Sequence, residues 1–391
     1  MQDFDPLLPE TFDSAHADYA ALRAHCPVAH SDAWGGFWAL MKHADVAAAA
    51  ADGETFITSK QNVVPAVAFT GRRPPLHLDP PEHTPYRRAL TPLLTERKVA
   101  KFAPVIREIC VELLDAMVAR GGGDICDEFS ARMPIRVFAA WMNLPAEQVA
   151  SLAEVGRRYN IAVQSNDMAS TRETSLLLYE MARQLVADRK AAPLDPAEDA
   201  TSALLATRVD GAPLPDEMIV GTIRQVLVVG IIAPTVLFGS VAVHLSRDQA
   251  LQAELRGNPA LIPAAMDEFL RLYTPYRGFA RTATRDVTLH GRTIPAGEPI
   301  ALVYASANRD DDVFEDGSSF RLNRPNMKDS LHFGRGTHMC VGAALARLQM
   351  VIGLEEMMAR LPTFDLDGDV IPTRFPEIGA LKVPLRFAAR G

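Results

Sequence analysis

Cysteine is scarce in this sequence of 391 residues, which contains four. They are Cys26, Cys110, Cys126 and Cys340. They lie far apart and form no CxxC pair, which excludes a zinc framework or an iron–sulfur cluster motif of the usual spacing. Such sparse cysteine is typical of a protein from a reducing compartment.

Net positive charge is also lacking. The formal net charge is −8, which argues against a general nucleic-acid-binding protein. No basic segment precedes an apolar run near the N-terminus, so we expect no secretory signal and a cytoplasmic protein. No GxGxxG motif follows a predicted strand. We therefore expect residues 1–391 to form one large domain without a fused reductase or ferredoxin domain, and we expect a monomer.

Long apolar runs are rare as well, and the one present covers residues 225–243, with Pro234 near its middle. The run is long enough to span a bilayer. Nothing basic or aromatic brackets it as membrane flanks would, and the chain offers no second span. A helix in the centre of a large domain is apolar on all sides for the same reason as a membrane helix. We predict a buried helix and no membrane contact.

The sequence does contain abundant helical periodicity, together with a few short strand patterns and Pro/Gly-rich loops. This combination predicts a mainly α protein with small β-sheets, an α+β chain forming one large domain. Helices are predicted over residues 145–159, 175–189, 216–245, 250–255, 263–273 and 341–360. Strands are predicted within 37–42 and 381–387, and two more within 286–308.

Candidate chemistry is concentrated around Cys340, which follows a glycine-rich turn and precedes a predicted helix. Backbone N–H groups and the dipole at a helix N-terminus stabilise a thiolate. Gly334, Gly336 and Gly342 keep side chains away from a turn that wraps around something large. Together with Phe333 they favour a ligand site for a flat metal cofactor.

Residues 333–342, of the form FGxGxHxCxG, resemble the haem-binding signature of the cytochrome P450 superfamily. The resemblance covers nearly the whole chain and points to soluble bacterial members. It implies the P450 fold and haem b, iron protoporphyrin IX, with the Cys340 thiolate as the axial iron ligand. It places cofactor contacts at Phe333, Gly334, His338, Cys340 and Gly342.

Two other segments resemble the family's contacts to the haem propionates. His83 and Arg87 match the motif in DPPEHTPYRRAL, and Arg281 matches in GFARTATRDV. His338 completes the set. Buried carboxylates require cationic or hydrogen-bonding partners, which explains these residue types.

Glu268 and Arg271 lie three residues apart on one predicted helix face. They resemble the family's structural Glu–Arg pair, and Arg324 is the candidate for the arginine that completes it. We expect these three residues to support the cysteine loop and to take no part in the chemistry.

The run 225–243 corresponds in this resemblance to the helix that crosses the distal face of the haem. The family's usual pattern there is small–Gly–x–acid–alcohol, in which the last two residues relay protons during oxygen activation. Gly230 matches the pattern. Ile232 stands in place of the acid and Ala233 in place of the alcohol, and neither side chain can transfer a proton.

Thr235 carries the nearest hydroxyl, two positions late. Pro234 removes a helical hydrogen bond, and a resulting kink or bulge would bring Thr235 toward the haem. Alternatively, Thr235 bonds a backbone carbonyl of its own helix. The sequence leaves both interpretations open.

The resemblance implies a monooxygenase that inserts an oxygen atom from O2 into a small to mid-sized hydrophobic substrate, by hydroxylation or O-dealkylation. Its candidate catalytic residues are Cys340, Thr235 and Gly230. The missing acid–alcohol pair keeps open a peroxygenase that uses H2O2. A haem-thiolate protein that binds a ligand without turnover is the alternative of another class.

Candidate substrate-pocket residues are Ile231, Ile232, Ala233, Tyr276 and Arg277. Most are apolar, which favours a hydrophobic substrate. Segments 62–71 and 159–168 are predicted to cover the pocket. In a peroxygenase Arg277 would pair with a substrate carboxylate, whereas a surface arginine is the commoner case.

Electrons must come from a separate donor, since the sequence has no flavin or iron–sulfur motif. A basic region stands out in the otherwise acidic chain. Its members are Arg72, Arg73, Arg87, Arg88, Arg97, Lys98, Lys101 and Arg107. It would steer an acidic ferredoxin to the cysteine side of the molecule, or it is an ordinary solvated surface.

Overall fold

The computed structural model describes residues 2–66 and 70–388, and for residue 229 the backbone alone. Residues 67–69, within the segment predicted to cover the pocket, lie outside the described residues. The helices are α1 Ser14–His25, α2 His43–Ala51, α3 Thr84–Leu90, α4 Glu96–Val99, α5 Ala103–Arg120, α6 Met133–Trp141, α7 Ala146–Gln164, α8 Met168–Ala191, α9 Ala200–Ala206, α10 Asp216–Arg247, α11 Gln249–Gly257, α12 Ile262–Leu272, α13 Tyr304–Ala307 and α14 Ala343–Arg360.

The strands are short and form small sheets. They are β1 Val28–Ser31, β2 Phe37–Leu40, β3 Phe56–Ile57, β4 Gly122–Asp124, β5 Arg208–Val209, β6 Ala212–Pro213, β7 Phe279–Ala283, β8 Val287–Leu289, β9 Arg292–Ile294, β10 Pro299–Leu302, β11 Phe364–Leu366, β12 Ile371–Pro372, β13 Ala380–Lys382 and β14 Pro384–Phe387. The largest sheet has the order β1-β2-β10-β7-β3, and its β2–β10 pair is parallel. A second sheet has the order β11-β14-β4.

The predicted mainly α architecture with small sheets is confirmed. The segment 286–308 contains three strands, β8, β9 and β10, so the prediction of two was wrong by one. The turn at His290–Gly291 joins β8 and β9 as an antiparallel pair, and β10 follows as a third strand that pairs with β2 and β7 in the largest sheet. The segment 381–387 was predicted as one strand, but it is divided at Val383 between β13 and β14.

Helix α10 contains the long apolar run and passes through the centre of the protein. It is long and apolar enough to cross a membrane, but 88% of its most apolar window is buried inside the protein. The predicted buried helix is therefore confirmed. The helix continues past Pro234 and ends at Arg247.

Three glycines let other segments approach α10 closely. A Cβ atom on Gly221 would lie 2.0 Å from the carbonyl oxygen of Arg72. On Gly230 it would lie 2.9 Å from the ring of Phe138 in α6, and on Gly239 2.7 Å from the carbonyl oxygen of Ala380 in β13. Real Cβ atoms almost never come nearer than 3.0 Å to another heavy atom, so the loop before α3, α6 and β13 pack against the bare helix backbone.

Candidate functional site

The cysteine loop connects the end of a turn to α14. The Cys340 backbone N–H donates to the carbonyl oxygen of Phe333 at 2.7 Å, which closes the loop. Gly342 is the N-cap of α14, so the cysteine lies just outside the helix N-terminus, as the sequence predicts.

Two glycines of this loop, Gly334 and Gly336, have φ values of 75° and 70°. This left-handed backbone favours glycine. At Gly336 space is also restricted, because a Cβ atom would lie 2.5 Å from the carbonyl oxygen of Ala50 in α2. The loop is therefore seated directly on the C-terminal end of α2.

The Cys340 thiol is in a mixed electrostatic environment. The residue as a whole is exposed. Its sulfur atom is nevertheless surrounded by protein, and this burial raises the pKa of the thiol. A hydrogen bond from the Gly342 N–H and the charge of Arg87 act in the opposite direction. Both would stabilise a thiolate bound to a metal ion.

Cationic and imidazole side chains gather beside this loop. The rings of His83 and His338 are 4.8 Å apart, centroid to centroid. Arg87 donates to the carbonyl oxygen of Met339, next to the cysteine, at 2.5 Å. Burial, followed by the charge of the buried Arg281, lowers the pKa of His338 to about 3. The structure thus brings together the four residues predicted to contact the propionates.

This donor set fits a group with two carboxylates. The Nε2 atom of His83 is buried and has no hydrogen-bond partner within the described chain. Arg281 is buried and donates to the carbonyl oxygen of Ala280 at 2.9 Å. The nearby Asp79 accepts hydrogen bonds from Thr58 and Ser59, at 2.9 Å and 3.1 Å from their nitrogens. An unpartnered imidazole nitrogen and a buried guanidinium are the kinds of group that buried haem propionates require.

Glu268, Arg271 and Arg324 form one buried network. Arg271 binds Glu268 through two hydrogen bonds of 2.8 Å and 2.7 Å, and Arg324 donates to the same carboxylate at 2.7 Å. Arg271 also donates to the carbonyl oxygens of Asn308 and Gly317. The network therefore ties α12 to the chain segment that precedes the cysteine loop.

Thr235 adopts the second of the two arrangements left open by the sequence. Its hydroxyl lies 2.8 Å from the carbonyl oxygen of Ile231 in its own helix and 3.0 Å from that of Ser130. Ser130 ends a π-helical turn, Cys126–Ser130, that packs against α10. One hydroxyl proton serves both acceptors, so Thr235 is bonded to backbone on the side of α10 that faces this turn.

The other candidate site residues on α10 are either packed in the interior or partly exposed. Ile231 is buried and its Cδ1 atom would lie 3.2 Å from a Cβ atom on Gly156 of α7. Ile232 is buried, and Ala233 is half-buried. The bare side of Gly230 faces the ring of Phe138, so this glycine has a packing role besides the one predicted for it.

Arg277 is not the exposed arginine that the sequence favoured. It is buried, and it forms an ion pair with Glu10 at 2.8 Å. Its Nε donates to the carbonyl oxygen of Glu377 at 2.7 Å, and its Nη1 lies 3.3 Å from the hydroxyl of Tyr19. Its charge is therefore already compensated within the protein, which corrects its assignment as a partner for a substrate carboxylate.

Tyr276 lies next to it in the chain and within electrostatic range of Cys340, Tyr159 and Glu377. Burial, the largest effect, raises its pKa well above the ordinary value. The Tyr276 hydroxyl is therefore protonated at ordinary pH.

The sequence analysis did not single out Arg224 at all, and it counted Arg73 as part of a basic surface. Both side chains are buried. The two arginines act electrostatically on each other, although 151 positions separate them. No local motif signals such a contact, because it depends on the loop before α3 packing onto α10 at Gly221.

Fewer cations of the basic region are exposed than its sequence indicates, and more of them are paired with carboxylates. Lys98 and Lys101 both pair with Glu198. Arg107 pairs with Glu355 and Glu356. Among the remaining members, Arg72, Arg88 and Arg97 are exposed.

Comparison with known proteins identifies the family. A family model described as cytochrome P450 matches residues 240–388. Cytochrome P450 130 of Mycobacterium tuberculosis is 32% identical over 93% of this chain and 92% of its own length. Erythromycin C-12 hydroxylase of Saccharopolyspora erythraea is 30% identical over 85% of this chain and 84% of its own length.

The fold agrees with this assignment. The structure of cytochrome P450 CYP109Q5 from Chondromyces apiculatus superposes with a TM-score of 0.88, at 28% identity, and covers 99% of both chains. Members of the family bind haem b through a cysteine thiolate, and the relatives of this chain include hydroxylases and epoxidases. On its similarity along almost the full length, the chain belongs to the cytochrome P450 family of oxidoreductases.

Proposed function

We propose that the protein is a haem-thiolate monooxygenase that transfers one oxygen atom from O2 to a hydrophobic organic substrate of small to mid size, by hydroxylation or O-dealkylation. Cys340 would bind the haem iron through its thiolate, and His83, Arg87, Arg281 and His338 would hold the propionates. The observation that carries the proposal is the closed cysteine loop beside the buried Arg281 and the buried Nε2 atom of His83, which has no partner among the described residues.

The residues around Cys340 each have a distinct role. The Phe333 carbonyl fixes the Cys340 backbone, and the Gly342 N–H donates to its sulfur. When bound, haem supplies the redox chemistry of oxygen transfer. On the other side, the apolar segment of α10 around Ile231 and Ile232 limits the entry of water.

Spectroscopy of the reduced, carbon monoxide-treated protein tests this assignment. We expect the strongly red-shifted Soret band of thiolate ligation, and we expect Cys340→Ala to abolish it. Cys110→Ala, which replaces a buried cysteine in α5, is the matched control and should keep the band. An unshifted band in the unaltered protein would contradict the proposed haem-thiolate site.

Electrons are proposed to come from a separate ferredoxin-type donor that docks near the cysteine loop. Arg88 and Arg97 are exposed on α3 and α4, and the side chain of the adjacent Arg87 reaches the carbonyl oxygen of Met339. Exposed cations at this position favour an acidic partner.

We also propose that the protein is cytoplasmic and monomeric.

A peroxygenase that uses H2O2 is the second candidate, because α10 carries Ile232 and Ala233 where a proton relay is expected. The two oxidants can be compared directly. Product formation coupled to electrons from a ferredoxin and its reductase supports the monooxygenase. Efficient product formation with peroxide alone, and none with the ferredoxin system, would reject it in favour of the peroxygenase. A substrate-induced spin shift without product from either oxidant would indicate a ligand-binding protein.

A further inference from the structure

A pocket of about 330 Å³ lies between α1, the C-terminal end of α10 and the end of α12. This volume is at the lower end of the range of about 300–1,000 Å³ that is usual for small-molecule sites. The residues that give the pocket its chemistry are Phe12, His16, Ala17, His244, Tyr273 and Arg309.

The pocket is separate from the candidate haem site. No lining residue within the described chain belongs to the cysteine loop, to the propionate contacts or to the candidate substrate pocket. His244 follows Gly230 by 14 residues on α10, which corresponds to about 21 Å along the helix axis. A molecule bound here would therefore not touch the haem.

Arg309 supplies a positive charge to the pocket. It is 8% exposed, and its Nε donates to the carbonyl oxygen of Leu272 at 2.9 Å. Its two terminal nitrogens have no hydrogen-bond or ion-pair partner among the described residues. Burial lowers the pKa of Arg309 to about 10, so the guanidinium keeps its charge at ordinary pH. Two unused guanidinium nitrogens are suited to the two oxygens of a carboxylate.

The carboxylate nearest to hand is already engaged. Asp13 also lines the pocket and acts on Arg309 through space, but Arg247 binds its two oxygens at 2.7 Å and 3.0 Å. Two further cations, Arg271 and Arg23, act on Arg309 in the opposite direction. These surroundings favour an anion over a metal cation as the occupant.

Two imidazoles of the wall have unused nitrogens. The Nε2 atoms of His16 and His244 are buried and have no hydrogen-bond partner in the part of the chain that the structure describes. Burial, the largest effect, lowers the pKa of both, to about 4 for His244. Both rings are therefore neutral at ordinary pH, and they add hydrogen-bonding groups to the wall without adding charge.

The pocket wall is also rich in rings. The centroid of the Tyr273 ring lies 5.9 Å from that of Phe12, 6.2 Å from that of His16 and 5.7 Å from that of His244. The guanidinium carbon of Arg309 lies 5.5 Å from the centroid of the same tyrosine ring. A cation at the edge of an aromatic wall suits a flat ring that carries a negative group.

We propose that this pocket binds a small aromatic carboxylate, with the carboxylate on the terminal nitrogens of Arg309 and the ring against Phe12 and Tyr273. The site lies outside the haem-thiolate centre and does not depend on the proposed function. Because the pocket is formed by α1, α10 and α12 together, a ligand that binds only the folded protein should stabilise it.

Benzoate and benzamide test the proposal on the unaltered, haem-loaded protein. The two molecules have the same shape and differ in charge. We expect benzoate to bind at least ~10-fold more tightly by isothermal titration calorimetry, and to raise the melting temperature more than benzamide does. The Soret band should stay unchanged during the titration. Equal affinity for the two ligands, no binding of benzoate, or a Soret shift that saturates in step with benzoate binding would overturn the proposal.

Substitution of the arginine then locates the site. Arg309→Gln should weaken benzoate binding by ~10-fold or more and leave benzamide binding within about 2-fold. Arg321→Gln is the matched control, because this arginine of the same segment is exposed and pairs with Glu315 at 2.7 Å. Its affinity for benzoate should equal that of the unaltered protein.

A second variant tests the site without changing a buried charge. Ala17 is exposed on α1 and lines the pocket, so Ala17→Trp should occupy its space and weaken benzoate binding by ~10-fold. Ala253→Trp, at an exposed position on α11, is its control and should bind benzoate normally. If Arg309→Gln does not fold, the Ala17→Trp result decides. Unchanged benzoate affinity in Ala17→Trp, or in a folded Arg309→Gln protein, contradicts the proposed site.

Discussion

At the scale of single residues, Thr235 decides how much of the family's usual proton relay remains. Its hydroxyl is bonded to backbone carbonyls of Ile231 and Ser130. We expect Thr235→Ala to leave the coupling of electron use to product unchanged. Loss of one hydrogen bond should lower the free energy of unfolding by about 1 kcal/mol. Coupling is measured as product formed per NAD(P)H consumed.

Ala233→Thr is the matched variant, since it places a hydroxyl at the half-buried position where the family carries one. It should change the coupling, whereas Thr235→Ala should not. A sharp loss of coupling in Thr235→Ala would contradict the arrangement seen here and restore Thr235 as a proton relay.

Glu377 is a buried carboxyl whose protonation should affect stability. Gln164 donates to it at 2.5 Å, and Arg277 acts on it electrostatically. Burial, the largest effect, raises its pKa to about 7 from an ordinary value of 4.5. Because the folded pKa is the higher one, the contribution of Glu377 to stability is complete below pH 4.5 and is lost as the pH rises to about 7.

Glu377→Gln should therefore remove this pH dependence. The stability of the unaltered protein relative to the variant should fall by up to about 3 kcal/mol between pH 4.5 and 7. Thermal unfolding at pH 5 and pH 8 measures the difference. Glu254→Gln, at an exposed position on α11, should show no such change. Parallel pH profiles for the unaltered protein and Glu377→Gln would contradict the raised pKa.

At the scale of elements, the contact between the cysteine loop and α2 is the one that we expect to be most sensitive to substitution. Gly336→Ala adds a methyl group 2.5 Å from the Ala50 carbonyl at a φ of 70°. We expect the loop to shift and the protein to retain less haem after purification. Gly297→Ala is the control, because it has a φ of 91° but nothing within 4 Å of the added atom.

The control should lose roughly 1 kcal/mol of stability through its backbone alone and keep its haem. Haem content per protein, from absorbance, separates the two variants. Equal haem content in Gly336→Ala and Gly297→Ala would show that the contact with α2 does not position the loop.

Sequence and structure agree where a function is encoded in consecutive residues. The cysteine loop and the Glu268–Arg271 pair depend on fixed spacings along one segment, so their local geometry was predictable. The arginine pair was not, since Arg73 and Arg224 meet only when a loop packs on a distant helix. Arg277 was misjudged for the same reason. Its partner, Glu10, is 267 positions away in the sequence.

At the scale of the whole molecule, the uneven charge distribution predicts how an electron donor approaches. The net charge is −8, yet Arg88 and Arg97 are exposed on α3 and α4, and the adjacent Arg87 contacts the cysteine loop. Replacing Arg88 and Arg97 by Glu should reduce the rate of electron transfer from an acidic ferredoxin by ~10-fold at low salt. The rate of the unaltered protein should fall as salt is raised, because exposed charges are screened.

Arg157→Glu provides a control on α7, where the exposed arginine pairs with Glu154. It should leave the rate unchanged at every salt concentration. An electron-transfer rate that is independent of both salt and the Arg88 and Arg97 substitutions would contradict docking at this surface.

The three glycines and the proline of α10 have a consequence for how the protein folds. Each glycine disfavours an isolated helix by about 1 kcal/mol, and an internal proline by about 3 kcal/mol. The same glycines admit the loop before α3, α6 and β13 to the helix backbone. A peptide with the sequence of α10 is therefore expected to be a poor helix in water. During synthesis this central element should become ordered late, once β13 has left the ribosome and can pack against it.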